Sequence, residues 1–297
     1  MKLQRNTAEI FLITTTAIWG STFLIIKLLV TKEDIFSPFA LLFSRFALSS
    51  IIAYLVFRPK GLPNKDVLIG GFIIGIAAFG GYAFQTLGLL ETTPARSGFI
   101  TSLFVVFTPF LSRVLEKQEI SRAIYISLIP ALFGLWAISG TQFSFNDINP
   151  GDKITLLSAI SYAFQVVGIQ IYTKKYDWKW LTVLQFAFIA LFSSFGLPFE
   201  DIKFPTNNIA YYAIIYLALF ATVGALGIQM FAQRFTTSSR ASLVYIAEPL
   251  FATFFAYIFI GEGLSKVEVL GGILIICSMI IGRMRLRKSN EAIGKNA

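Results

Sequence analysis

The sequence has no histidine, one cysteine and few charged residues, and each shortage excludes a class of proteins. Without histidine, the chain lacks the commonest general base and the commonest metal ligand. Its one cysteine, Cys277, can form no disulfide within the chain. No stretch has the G-x-x-x-x-G-K-[ST] pattern of a phosphate-binding loop. We therefore predict no metal or organic cofactor, no nucleotide-driven step and no enzymatic activity.

Charge is scarce along the whole chain. Only 14% of the 297 residues are charged, 56% are hydrophobic, and the mean hydropathy is +0.71. A soluble domain has roughly 25% charged residues. A soluble protein of this composition would lack a polar surface, so we predict an all-α integral membrane protein.

The apolar residues form ten blocks of about 20, enough for a helix to cross a hydrocarbon core of about 30 Å. The first block is longer than a signal-peptide core and has no small-residue cleavage site at its end, so we expect a span and not a removable signal. Short connections leave no room for a soluble domain. The predicted spans are Ile10–Val30, Ser37–Phe57, Val67–Leu89, Ser97–Leu115, Ala123–Ser139, Ile154–Tyr172, Leu181–Pro198, Ala210–Gln233, Ala241–Ile260 and Val267–Arg283.

Basic residues alternate between the two ends of the predicted spans. Eighteen of the 25 Lys and Arg residues lie at the termini and the even-numbered connections, and five lie at the other connections. By the positive-inside rule, both termini are cytoplasmic. The net charge of +9 then reflects topology and anchoring to lipid headgroups. We predict a multi-pass protein of the cytoplasmic membrane, in contact with membrane lipid and with no nucleic-acid partner.

Two 30-residue stretches, Thr92–Ser121 and Thr236–Ser265, share a pattern. Each begins with Thr-Thr, has arginine as its fifth residue and has a glutamate shortly before its final serine. They lie 143 to 144 residues apart, about half the chain. A repeat of this length holds five spans, and an odd number inserts the second copy upside down. We predict two inverted five-helix repeats, 1–146 and 147–297.

Three motifs carry a family resemblance. The first span contains AIWGSTF at Ala17–Phe23, the ninth contains Glu248-Pro249 and ends in FIGE at Phe259–Glu262, and the last opens with GGILI at Gly271–Ile275. In order and spacing these motifs resemble the EamA branch of the drug/metabolite transporter superfamily, which consists of ten-span permeases. The resemblance implies a substrate cavity between the two halves, export of small metabolites or amino acids, and a bacterial cytoplasmic (inner) membrane.

Three charged residues lie three or more residues inside the ends of the predicted spans, where each costs about 2.5–3.5 kcal/mol on insertion scales. Lys27 is close enough to the end of its span to reach the headgroups. Arg45 lies roughly 12 Å deep, and Glu248 lies near the middle of the ninth span. Pro249 should kink the helix beside that glutamate by leaving the Tyr245 carbonyl without its donor. In one interpretation Arg45 and Glu248 pair and hold the halves together. In the other, Glu248 binds a substrate ammonium or a coupling proton, while Arg45 or Lys27 meets a carboxylate.

Polar and aromatic residues at similar depth complete a candidate site, because small-molecule pockets combine aromatic walls with a few hydrogen-bonding groups. The same residues could instead join helices to one another. The predicted substrate-binding residues are Trp19, Arg45, Tyr82, Gln85, Tyr162, Gln165, Gln229, Tyr245 and Glu248, with Glu248 also the predicted coupling residue.

We predict a secondary transporter that moves a small organic solute outward by alternating access, driven by a solute gradient or by protons. The alternatives are a flippase for lipid or lipid-linked substrates on the same fold and, less favoured, an intramembrane enzyme. A monomer suffices because both repeats lie in one chain, although the glycine-rich last span could also serve a dimer.

Overall fold

A computed structural model describes residues 5–27, 29–30, 35–139, 148–203, 208–255, 257–258, 263 and 265–284. The charged residues 31–34, the FIGE motif at Phe259–Glu262 and the basic residues of 285–297 lie outside these ranges. The helices are α1 (Arg5–Gly20), α2 (Thr22–Lys27), α3 (Pro38–Phe57), α4 (Lys65–Glu91), α5 (Pro94–Ser102), α6 (Phe104–Leu115), α7 (Arg122–Ile138), α8 (Pro150–Thr173), α9 (Trp178–Ser194), α10 (Asn208–Tyr216), α11 (Ala225–Gln233), α12 (Ser238–Tyr245), α13 (Glu248–Phe255) and α14 (Lys266–Arg283). A 3₁₀ turn covers Leu197–Phe199, and a π-helical segment, Leu217–Gly224, joins α10 to α11.

Seven helical stretches in the described ranges are long and apolar enough to cross a membrane, which agrees with the predicted all-α membrane class. They are Arg5–Lys27, Pro38–Phe57, Lys65–Glu91, Pro94–Leu115, Pro150–Thr173, Trp178–Phe199 and Ala210–Gln233. The remaining three predicted spans differ from these. Helix α7 has only 17 residues, the ninth span is divided between α12 and α13, and α14 has charged residues at its ends. Ten spans and cytoplasmic termini stay predictions.

The fourth and ninth predicted spans are each interrupted, and the two interruptions lie 143 to 144 residues apart. The fourth breaks at Leu103, between α5 and α6, and the ninth breaks at Ile246 and Ala247, between α12 and α13. A kink was predicted beside Glu248, and the helix is irregular there, since the Ala247 N–H donates to the Val244 carbonyl, three residues earlier instead of four. Pro249 is the second residue of α13, where its missing donor is tolerated. The Leu103 break has no adjacent proline, so packing as well as proline chemistry produces these interruptions.

Each half of the chain packs mainly against the other. Helix α7 packs along α14 and α3 packs along α9, and each pair joins helices at the same position in the two halves. The third segment of one half, α4, packs along the first segment of the other, α8. Correspondingly, α11 packs along α1. The apolar core is therefore formed largely between helices of different halves.

Glycines allow α4 to approach both of its neighbours closely. A Cβ atom added at Gly75 would lie 2.7 Å from the Phe188 Cβ of α9. One added at Gly88 would meet the Thr155 hydroxyl and lie 2.8 Å from the Gly151 carbonyl oxygen of α8. Small residues at such contacts are typical of membrane helix packing, and they explain the glycine-rich third span.

We predict that Gly88→Ala destabilises the protein by about 1–3 kcal/mol, because the new methyl group would overlap α8 backbone. Thermal unfolding in detergent would measure this. Gly272→Ala is the matched control, since a Cβ there lies 3.5 Å from Leu250 Cδ1, an ordinary contact. Equal unfolding temperatures for the two variants would contradict the close α4–α8 contact.

Candidate functional site

One cavity lies among the interrupted helices, with a void of about 540 Å³ that includes its mouth. All nine predicted substrate-binding residues line it. The sequence prediction missed the other six residues on the wall: Thr22, Ile26, Thr101, Phe104, Val166 and Leu226. Two of these could have been found from the repeat, because Thr101 lies 144 residues before Tyr245, and Phe104 lies 144 residues before Glu248. Their role in binding stays a prediction.

The cation of the cavity, Arg45, is held from two sides. Its side chain is 2% exposed, and its Nε donates to Thr222 Oγ1 at 2.7 Å. The guanidinium carbon lies 5.1 Å from the ring centre of Phe46 and 5.2 Å from that of Tyr82, close enough for both rings to stabilise the charge. Thr222 in turn donates to the Leu217 carbonyl, five residues earlier in the π-helical segment. The π-helical turn thus aims a hydroxyl at the buried arginine.

Glu248 is the first residue of α13 and is half-buried on the cavity wall. In the described part of the chain, no ion pair or hydrogen bond joins its side chain to Arg45. Both charges face one cavity without neutralising each other, which counts against the interpretation that they pair to hold the halves together. Helix α1 reaches this point through Gly20, where an added Cβ would lie 2.9 Å from the Glu248 carbonyl oxygen.

Aromatic rings form the walls between the two charges. The Trp19 indole donates to the Ala221 carbonyl at 3.1 Å, which fixes the ring. Trp19 and Tyr245 have ring centres 5.6 Å apart. Tyr82 and Tyr162 meet edge to face at 5.4 Å. These contacts combine rigid apolar surface with hydroxyl and indole groups, as small-molecule sites commonly do.

Amide side chains occupy two positions on the wall. Near one, Gln85 Nε2 donates to Thr101 Oγ1 at 3.2 Å and Tyr162 Oη donates to Gln85 Oε1 at 3.3 Å. Gln165, also on the wall, lies 3.5 Å from Gln185 through its Nε2. Most of these groups are therefore already held by one another, which keeps the wall in a defined geometry.

Near the other position, Tyr245 Oη donates to Gln233 Oε1 at 3.1 Å, and Gln229 Nε2 lies 3.5 Å from the same oxygen. Gln229 Oε1 is buried and accepts no hydrogen bond from the residues that the structure describes. A buried acceptor of this kind costs free energy unless a partner reaches it. It is a candidate contact for a donor group on a bound molecule.

Lys27 does not line the cavity. Its amine donates to the Thr92 carbonyl at 3.0 Å and to the Leu89 carbonyl, at the end of α4. The Lys27 amine was expected to reach the lipid headgroups. In the structure it donates to these carbonyls, because the last carbonyls of a helix need donors. The structure therefore assigns Lys27 to helix capping, and the candidate cation for a carboxylate is Arg45 alone among the three intramembrane charges.

A family model described as the EamA-like transporter family matches the chain twice, at residues 6–140 and 149–282. The chain belongs to the EamA-like transporter family. The predicted resemblance is thus confirmed, and membership makes the protein a membrane transporter of the drug/metabolite transporter superfamily. The division into inverted repeats at 1–146 and 147–297 stays a prediction.

Curated relatives of this EamA-like chain span nearly its full length. An "Uncharacterized transporter" from Archaeoglobus fulgidus is 34% identical over 287 residues, covering 96% of this chain and 88% of the relative. The "Uncharacterized inner membrane transporter YedA" of Escherichia coli K12 is 24% identical, covering 89% and 87%. A crystal structure with a TM-score of 0.77 covers 96% of this chain and all of its own, at 18% identity. That likeness concerns the fold.

We predict that Thr222→Val destabilises the protein by about 1.5–3 kcal/mol, because a buried charged donor loses its acceptor. Thr222→Ser keeps the hydroxyl and should cost much less. Glu248→Gln should unfold close to wild type, because Glu248 forms no ion pair with Arg45. Thermal unfolding of the three variants in detergent would test this. If Glu248→Gln were as unstable as Thr222→Val, the pairing interpretation would be restored.

Proposed function

We propose that this chain is a secondary transporter that carries a small organic solute outward across the bacterial cytoplasmic membrane by alternating access. The cavity is its solute site, the nine predicted residues contact the solute, and Glu248 couples its movement to protons or to solute exchange. The observation that carries the proposal is the construction of the cavity wall. Both halves of the chain contribute to it at equivalent positions, around two charges that have no equivalent.

Equivalent positions recur on the wall. Trp19 and Tyr162 lie 143 residues apart, and Gln85 and Gln229 lie 144 residues apart. All four line the cavity. A solute site between two related halves is the usual arrangement in transporters built from inverted repeats. The packing of helices between the halves and the double family match support the same organisation, with repeats at 1–146 and 147–297.

The two charges break this equivalence. Phe104 takes the place of Glu248 in the first half. The residues 143 and 144 positions after Arg45 are Phe188 and Ile189, and neither is among the wall residues in the described ranges. A solute is therefore offered one cation and one anion, in a fixed orientation. This favours a solute with a carboxylate for Arg45 and an ammonium group for Glu248, such as an amino acid, with a proton as the competing occupant of Glu248.

Alternating access also needs places where helices bend. The breaks at Leu103 and Ile246 lie next to the cavity residues Phe104 and Tyr245. Interrupted helices absorb backbone rotation more readily than continuous ones, and solute sites of secondary transporters are typically built at such interruptions. Movement of one half against the other would then expose the cavity to either side in turn.

Counterflow in proteoliposomes tests the proposal. The liposomes would be loaded with a panel of amino acids and other small metabolites, at two pH values. We predict saturable uptake of one class by wild type. Glu248→Gln should reduce it about tenfold or more and remove its pH dependence, because a charged contact contributes about 1.5–3 kcal/mol. Glu91→Gln, at the exposed end of α4, is the matched control and should transport like wild type.

Unchanged counterflow in Glu248→Gln would remove Glu248 from the site. If folded wild-type protein carried no solute of the panel, the proposal would fail, and movement of a fluorescent lipid in the same liposomes would then favour the flippase alternative.

A further inference from the structure

A buried ion pair joins the two halves near the start of α8. Asp152, with a side chain 2% exposed, forms an ion pair with Arg96 of α5. Arg96 Nε also donates to Asp152 Oδ1 at 3.2 Å, and Thr92 Oγ1 donates to the same oxygen at 2.6 Å. We call Thr92, Arg96 and Asp152 the Arg96 cluster. It ties the α4–α5 turn of the first half to the first long helix of the second.

A second buried acid lies beside two arginines near the start of α1. Glu9, with a side chain 1% exposed, lies 3.7 Å from Arg240 Nη1 of α12, and Thr236 Oγ1 donates to Glu9 Oε1 at 3.3 Å. Arg283 adds a further contact, at 2.7 Å from its Nε to Glu9 Oε2. We call Thr236, Arg240, Glu9 and Arg283 the Arg240 cluster. It ties the second half to the first helix of the first half.

The two clusters occupy equivalent positions of the repeat. Arg96 and Arg240 lie 144 residues apart, and Glu9 and Asp152 lie 143 residues apart. Each arginine binds an acid that belongs to the other half. The Thr-Thr-x-x-Arg pattern by which the repeat is recognised in the sequence therefore has a contact role at both of its occurrences.

The second threonine of each pattern orients the arginine. Thr93 Oγ1 accepts from the Arg96 backbone N–H at 3.2 Å, and Thr237 Oγ1 accepts from the Arg240 backbone N–H at 3.3 Å. These are N-caps of α5 and α12, which fix the first turn of each helix. The first threonine and the arginine then both contact the acid of the opposite half.

The clusters lie at opposite ends of the helix bundle. Lys27, at the end of the first long segment, touches the Thr92 carbonyl and so lies beside the Arg96 cluster. Glu9 lies near the start of that segment, about 27 Å away at 1.5 Å per residue. The cavity residues Thr101 and Tyr245 each lie five residues beyond the arginine of their helix, about 7.5 Å further in. The cavity is therefore flanked by one cluster on each side.

We propose that the Arg96 and Arg240 clusters are the two gates of the transport cycle, each separating when the cavity opens at its own end. This inference rests on the alternating access proposed above. Both ion pairs join helices of different halves, so a movement that opens the cavity at one end separates the arginine there from its acid and leaves the other pair closed. Separating a buried pair leaves a charge without its partner, which is costly in a protein interior. That cost opposes simultaneous opening at both ends.

Labelling of a cavity cysteine from either side tests the gates without any solute. In a Cys277→Ser background, Thr22→Cys would place one thiol on the cavity wall. A membrane-impermeant maleimide would be applied to right-side-out and inside-out vesicles. We predict that Arg96→Gln raises labelling about fivefold or more at the end of the Arg96 cluster and lowers it at the other end. Arg240→Gln should produce the opposite change.

The matched controls separate gating from general loosening. Arg58→Gln changes an exposed arginine at the end of α3 and should leave labelling as in the parent. Arg96→Lys keeps the charge and should restore most of the closed state. Variants would be compared only where detergent-extracted protein remains monodisperse, and Thr92→Val provides a milder change to the same gate if Arg96→Gln does not fold.

Parallel changes in Arg96→Gln and Arg240→Gln, or no change in either folded variant, would overturn the gate proposal even if counterflow proceeds. Opposite changes would support the gates even if no solute of the panel is transported, a result that would overturn the proposed transport of these solutes and leave the gates in place. Thus the two proposals fail separately.

Discussion

The cost of burying a charge in a membrane determines most of what is distinctive in this structure. A charged side chain within a span is rare because it is expensive unless a partner or water reaches it. Asp152 and Glu9 are buried against arginines, and Arg45 is held by two aromatic rings and a threonine hydroxyl. In the described ranges, the Glu248 side chain has neither an ion pair with an arginine nor a hydrogen bond from a hydroxyl group. A charge that the fold leaves without a partner is the one most available to a solute or a proton.

The packing of helices from one half against helices of the other half brings these charged residues together. Since α4 packs on α8 and α11 packs on α1, the starts of α8 and α1 are each brought to the turn that begins α5 or α12. The acids near those starts then face the arginines of the opposite half. Neither ion pair could form within one half alone. The same packing brings Trp19 and Tyr162 to opposite walls of the cavity.

The residues that line the candidate site could be predicted from sequence, whereas the number of spans stays a prediction. Polar and charged side chains at mid-membrane depth must face protein or water. This requirement allowed Arg45, Glu248 and the three wall glutamines to be predicted as lining one cavity. Phe104 carried no such signal among 31 phenylalanines. The breaks depend on packing that no local residue announces, as at Leu103. The contacts of Lys27 could not be predicted from sequence, because its carbonyl partners lie 62 and 65 residues away in the chain.

In the proposed transport cycle, the similarity of the two gate clusters and the difference between Arg45 and Glu248 in the cavity meet separate requirements of a carrier. A cavity that opens to each side in turn needs two closed ends of comparable stability, because a large imbalance would leave one state unpopulated. In the gate proposal, the two Thr-Arg-acid clusters provide that balance, with Arg283 as a further cation beside Glu9. Recognition of a solute with distinct ends needs the opposite, a site whose two sides differ. In the proposed solute site, Arg45 and Glu248 supply that difference, because the residue 144 positions before Glu248 is Phe104 and the residues 143 and 144 positions after Arg45 are Phe188 and Ile189.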